Sequence, residues 1–228
     1  MKNLLKILLI ALFTTYGCSN ESPHADDCSF SINGLVFTKS INNAKLMTDF
    51  AGQNKLVMKS GAKSDFFNTP NGKHKFSNAP MLLTPVNNKE AFTFTAKVTP
   101  YFSGTYDAGA IYIYVSNNRW QKFAFEMDER KLTRLVTVRT IGTSDDNNHD
   151  ASVGPSVFMK ISSNVESIGF YYSTDSINWQ LTRVYGNDFP DNVWLGISSQ
   201  SPIGNGITTM FESFSLNKTS VKDIRKGI

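Results

Sequence analysis

The sequence predicts an all-β protein, a sandwich or jelly roll of antiparallel strands. Three observations carry this. From about Ser31 to Leu216 short apolar or alternating runs recur, and no long helical period interrupts them. Gly, Pro, Asn, Asp and Ser separate the runs, as turn chemistry requires. Seventeen Phe and eight Tyr supply side chains that suit a pleated, half-buried surface. The runs are Leu35–Thr38, Lys55–Ser60, Met81–Leu83, Ala91–Thr99, Ala110–Val115, Trp120–Glu126, Leu132–Thr140, Val157–Ser162, Ile168–Ser173, Gln180–Tyr185, Val193–Ser198 and Thr208–Leu216. Many short strands with turn signals between them are the mark of two packed sheets.

The chain opens with a different pattern. Lys2 and Lys6 precede and enter an apolar run from Leu4 to Phe13. That run is shorter than the roughly 20 residues a spanning helix needs, so residues 1–17 read as a secretory signal. The segment closes with Thr15-Tyr16-Gly17-Cys18, which resembles the bacterial lipoprotein signal. The resemblance implies a lipid-modified Cys18 as the new N-terminus, although Thr15 stands where Leu is usual. It places the chain in the bacterial cell envelope, anchored at the outer membrane. One acyl chain holds only marginally, and the several chains of a lipoprotein hold stably. A buried or disulfide-bonded Cys18 after ordinary cleavage is the alternative.

Residues 18–30 are polar and read as a tether. Cys28 lies within it and has no intramolecular partner if Cys18 carries lipid, so no disulfide framework is expected. Removal of residues 1–17 takes Lys2 and Lys6, leaving 21 Lys and Arg against 19 acids, a net charge near +2. That balance argues against nucleic acid and against electrostatic membrane binding as partners. Residues 31–216 form one domain, long enough to bury roughly 70% of its unfolded surface. Residues 217–228 are polar and basic and read as a flexible tail.

The stretch from Thr105 to Thr140 holds the candidate site. It reads as three strands joined at Ser116-Asn117-Asn118 and at Asp128–Lys131. Successive strand residues point to opposite faces. Phe123 and Phe125, with Val136 and Val138, are assigned to the core. This leaves Trp120, Lys122, Glu126, Thr137 and Arg139 on the opposite surface. An aromatic ring beside charged donors and acceptors suits a sugar: apolar stacking plus hydrogen bonds. A solvated outer face with ordinary cross-strand pairs is the competing reading.

Several segments together resemble a known family. They are Ser64-Asp65-Phe66-Phe67, Phe92–Val98, Tyr106-Asp107-Ala108-Gly109, Trp120-Gln121-Lys122 with Glu126, Leu135-Val136-Thr137, Tyr172–Asp175 with Trp179, and Ser201-Pro202 before Phe211. In order and spacing, roughly Leu35 to Leu216 resembles the uncharacterised domain of the "regulation of enolase" type. That family is similar to the laminin-G-like and concanavalin A-like domains attached to xylosidase-type glycoside hydrolases. The resemblance implies a concanavalin A-like jelly roll with one concave sheet. It carries Asp107, Trp120, Lys122, Glu126 and Thr137 onto the family's recurrent polar positions. Ala108 stands where the family usually has Gln, Ser176 where it has Gly, and Asp146 where it often has Trp.

Glu126-Met127-Asp128 would put two carboxylates on one strand face, and a retaining glycosidase needs two about 5–5.5 Å apart. The alternative is an ion pair of Glu126 with Lys122 or Arg139. His24, His74 and His149 lack zinc-ligand spacing. There is no phosphate-cradling glycine loop. Asp145, Asp146 and Asp150 sit in a stretch read as an oxygen-rich loop, a calcium candidate or a plain solvated loop. Three functions follow as expectations: a non-catalytic carbohydrate-binding lipoprotein, a structural or protein-interaction lipoprotein, and a glycosidase as the outlier.

Overall fold

The computed structural model describes residues 24–151 and 153–228, so Cys18 and the signal segment lie outside the described residues. The strands are β1 (Ala25–Ile32), β2 (Leu35–Ile41), β3 (Thr48–Phe50), β4 (Lys55–Lys59), β5 (Phe66–Asn68), β6 (Lys75–Ser77), β7 (Met81–Asn87), β8 (Phe92–Pro100), β9 (Ala108–Ser116), β10 (Arg119–Met127), β11 (Thr133–Ile141), β12 (Thr143–Ala151), β13 (Val157–Ser163), β14 (Ser167–Ser173), β15 (Gln180–Gly186), β16 (Asn192–Gln200) and β17 (Thr208–Asn217). One sheet runs β1-β2-β7-β16-β9-β10-β11-β12, the other β15-β14-β13-β8-β17-β4-β3. Every strand pairing is antiparallel. All twelve runs found in the sequence form strands, and the architecture is the expected sandwich.

The main core lies between the sheets. Ile111, Ile113, Phe123, Phe125 and Leu195 point inward from the first sheet onto Phe94, Val98, Met159, Phe170 and Phe211 of the second. Phe123 stacks on Phe170 with ring centroids 5.4 Å apart. At Gly109 the facing sheet packs close: a Cβ would stand 2.5 Å from Thr209 Cγ2 and 2.6 Å from Val98 Cγ1, so only glycine fits there.

A second apolar cluster lies on the outer face of the eight-stranded sheet. Trp120, Tyr112, Val136, Val138, Met81 and Leu83 are buried there beneath Phe66. The cover is the β5–β6 hairpin, a small sheet of its own. It is strapped down at both ends. Ser64 and Ser201 exchange backbone hydrogen bonds of 3.1 and 3.0 Å, and the Asn68 N–H donates to Ser144 Oγ at 2.8 Å.

Three sequence assignments change. The expected tether ends early: β1 occupies Ala25–Ile32 and hairpins onto β2 through Asn33 and Gly34, both at positive φ. The stretch read as an oxygen-rich loop is β12, an edge strand paired with β11. The expected tail folds back onto the outer face of the seven-stranded sheet. There Lys160 Nζ donates to the Gly227 carbonyl at 2.8 Å, and the Tyr171 hydroxyl donates to the Ile224 carbonyl at 2.8 Å.

Candidate functional site

The β10 faces are as expected: Phe123 and Phe125 are buried inward, while Trp120, Lys122 and Glu126 point outward. The β11 faces are reversed. Lys122 pairs with Val138, Ala124 with Val136, and Phe123 with Thr137. Paired residues share a face, so Val136 and Val138 join Trp120 outside, while Thr137 and Arg139 turn inward. Apolar cover on both sides removes the alternation that would have distinguished the faces, and a slip of one residue exchanges them all.

Trp120 has no ring face open to a ligand. It is completely buried, edge-on to Phe66 at 6.2 Å and Tyr112 at 5.9 Å, and its Nε1 donates to the Asn117 carbonyl at 3.2 Å. The hairpin occupies the place where a sugar was expected. Asp107 is also buried and committed. Its Oδ2 accepts from the N–H of Ser103 (2.8 Å), the Ser103 hydroxyl (2.9 Å) and the N–H of Gly104 (2.6 Å), and its Oδ1 accepts from the Ser201 hydroxyl (2.6 Å). It organises two loops and leaves no oxygen for a ligand. Lys122 donates to the Phe66 carbonyl at 3.0 Å, Gln200 Oε1 at 3.1 Å and Asp65 Oδ1 at 3.4 Å. Those three partners use the three ammonium hydrogens, so Lys122 fixes the hairpin to the sheet.

Glu126 differs from these. Among the described residues it has no hydrogen-bond or ion-pair partner within bonding distance; Lys122 pairs with Asp65 and Arg139 with Asp188 instead. It opens into a pocket of about 380 Å³ between the β5–β6 hairpin, the Tyr106 loop and β10–β12. Asp65, Phe67, Tyr106, Asp146 and Asn148 line that pocket with it. Burial pushes the Glu126 carboxyl up to about 8; Lys122 pulls against this, and Asp65, Asp146 and Asp128 add to it. Near neutral pH the protonated form of Glu126 is therefore favoured, and in that form it can both donate and accept. Tyr106 is held at φ 65°, with its N–H donating to the Met127 carbonyl at 2.6 Å, and its ring is 38% exposed. A non-glycine residue in that region is strained and is kept there by its surroundings.

The other acids are dispersed. Asp128 is buried; its Oδ1 accepts from the N–H groups of Arg130 and Leu132, and its Oδ2 from Nε and NH2 of Arg134 at 3.0 and 2.9 Å. Burial opposes its charge, but the Leu132, Arg134 and Arg130 hydrogen bonds outweigh burial and hold its carboxyl below the ordinary value. It is not the open second carboxylate that the Glu126-Met127-Asp128 spacing suggested. The calcium candidates separate as well. Asp145 approaches Arg183 at 3.8 Å, Asp146 lines the Glu126 pocket, and Asp150 accepts from the Tyr172 hydroxyl at 2.6 Å. Among the described residues no three His, Cys, Asp or Glu side chains are grouped to hold a metal.

Residues 44–219 match the family described as "Protein of unknown function (DUF1349)". The chain belongs to the DUF1349 family. Solved structures resemble this DUF1349 chain in fold. A functionally unknown protein from Saccharomyces cerevisiae superposes with TM-score 0.69 at 18% identity, covering 88% of this chain and 98% of that one. The GH43 BlXynB protein from Bacillus licheniformis gives TM-score 0.60 at 15% identity, covering 79% of this chain and 36% of that one. The Bacteroides ovatus xyloglucan PUL GH43B gives 0.58 at 13%, covering 86% and 39%. The match thus spans little more than a third of each GH43 chain, and these identities carry the fold alone. No curated protein matches the sequence.

The pocket residues that sequence reasoning missed, Asp65, Phe67 and Tyr106, all fall in segments that carried the family resemblance. Their signal was position in those motifs; their convergence on Glu126 depends on the hairpin crossing the sheet.

Proposed function

We propose that this DUF1349 domain is a non-catalytic carbohydrate-binding module, and that the ligand sits in the Glu126 pocket. The carrying observation is an unpartnered Glu126 in a pocket of about 380 Å³ flanked by Tyr106 and Phe67; burial there favours its protonated form. Sugar hydroxyls would donate to Asp65 and Asp146 and exchange hydrogen bonds with Glu126, while the aromatic rings cover the apolar face of the sugar. Besides the protonated Glu126, the pocket is lined by the carboxyl groups of Asp65, Glu129 and Asp146 against the single cation Lys122, an acidic balance that favours a neutral sugar over a sugar acid. The engagement of Asp128 supports binding without hydrolysis. The "regulation of enolase" resemblance belongs to the same reading. So does export with a lipid anchor at Cys18 in the bacterial cell envelope, which rests on the sequence of residues 1–18.

A glycan array probed with residues 24–228 tests the site. Binding to a neutral polysaccharide that falls about tenfold in Tyr106→Ala, equivalent to roughly 1.4 kcal/mol, supports it. Silence across the array favours a structural or protein-interaction lipoprotein.

A further inference from the structure

Thr137 and Arg139, which the register turns inward, lead to a second cluster at the open side of the sandwich. Arg139 stands opposite Gln121 across the β10–β11 ladder. Arg183 of β15 donates to the Thr137 hydroxyl at 3.3 Å. Arg119 and Arg139 both reach Asp188, at 3.9 and 2.8 Å. The three guanidiniums face two carboxylates, Asp188 and the exposed Asp145, and keep one positive charge in excess. The nearby His149 ring does not add to the charge, because burial lowers its pKa.

Behind these cations lie buried polar groups with nothing to bind. Gln121 is completely buried, and neither its amide nitrogen nor its amide oxygen has a partner. The Tyr185 hydroxyl approaches Thr137 without completing a hydrogen bond, on a side chain 6% exposed. Arg119 Nε is likewise buried and unpaired. Arg183 lies over the Tyr185 ring, 4.9 Å from its centroid; burial pushes the phenol up, and the charges of Arg183 and Arg139 pull it down. Native interiors seldom leave such groups unpaired, because each one destabilises the fold. The arginine side chains themselves reach solvent, being 27 to 38% exposed.

We propose that this cluster, between β10, β11, β15 and the connection carrying Asp188, is a second binding site that takes a sugar acid. The carboxylate would engage Arg119 and Arg139, as Asp188 does in the free protein, and Arg matches carboxylate geometry. A carboxylate offers acceptors only, whereas Gln121 Oε1 needs a donor. The ligand must therefore also carry hydroxyls, and a uronic acid has both. The acid-lined Glu126 pocket repels the same anion, so the two sites select opposite ligands.

The test is titration of the full chain with galacturonate, followed by NMR at the Arg119 Nε–H and Gln121 amide signals. Saturable shifts are expected with galacturonate and none with galactose. Arg139→Gln should weaken binding at least tenfold, and Asp188→Asn, which removes the internal competitor, should tighten it. Gln121→Leu should raise the melting temperature while weakening binding, which separates loss of a ligand contact from loss of fold; a melting gain with unchanged affinity overturns the role of Gln121. Shifts of equal size with acetate would show an adventitious anion only, and unmoved signals would refute the site. Either failure leaves the Glu126 pocket untouched.

Discussion

Replacing Glu126 by Gln tests the central electrostatic claim, because Gln keeps the shape of the protonated acid and cannot ionise. Glu126 holds its proton more tightly in the folded protein, at about 8, than at its ordinary value of 4.5. Between those values the folded state binds more protons than the unfolded state, so stability falls as pH rises. The contribution is complete below about pH 4.5 and lost once pH passes about 8. At 1.36 kcal/mol per pH unit the gap sets a ceiling of about 5 kcal/mol, and solvent at the pocket mouth brings the expected effect to about 2–3 kcal/mol. Urea unfolding of both proteins at pH 5, 6.5, 8 and 9 measures it, with equal m-values as the condition for comparison. The two should agree near pH 5, and Glu126→Gln should be the more stable by about 2–3 kcal/mol at pH 9. His149 and Lys160, whose pKa values burial also lowers, titrate in both proteins and cancel in the difference. A difference that stays constant with pH would refute an enclosed, protonated Glu126.

Other outcomes follow from the packing. Trp120→Ala and Phe125→Ala should each destabilise by about 3–5 kcal/mol in thermal or urea melts; a loss of sugar affinity in Trp120→Ala with intact stability would contradict the burial of the ring. Asp107→Ala strands the donors of Ser103, Gly104 and Ser201 and should cost about 2–4 kcal/mol, with the Tyr106 loop gaining proteolytic sensitivity. Cys18→Ser should move the protein from the detergent phase to the aqueous phase or leave it unprocessed; unchanged partitioning would end the lipid-anchor proposal.

The sandwich was legible because inward residues alternate cleanly in β8, where Phe92, Phe94, Ala96 and Val98 recur at every second position, and because Phe123 and Phe125 mark the inward face of β10. The site was less legible. Leu135, Val136 and Val138 make β11 apolar on both sides, so its pattern could not say which face met the core. β12 reads TSDDNNHDA, a composition poor in strand formers, and it becomes a strand only because β11 offers an edge. Two local motifs bear on the parts that were misread. Asn33-Gly34 between Ile32 and Leu35 is a strong two-residue hairpin pattern and announces β1. Ser64-Asp65-Phe66-Phe67 supplies the ring that buries Trp120 and the acid that engages Lys122. Nothing local in that motif says it crosses the sheet; the crossing depends on the Ser201 and Ser144 contacts, far away in sequence.

The early start of β1 sets a reach. From Cys18 to Ala25 there are seven residue steps, at most about 25 Å of extended chain. With lipid on Cys18, the β1 edge of the eight-stranded sheet stays within that distance of the bilayer surface. The Glu126 strand, β10, stands five strand spacings further along the same sheet, about 24 Å from β1. With that anchor, β1 would be the sheet edge tethered nearest the membrane, and the pocket strand would have the longer reach into the aqueous phase. A polymer arriving from the aqueous side could then meet the pocket without first crossing the tethered edge.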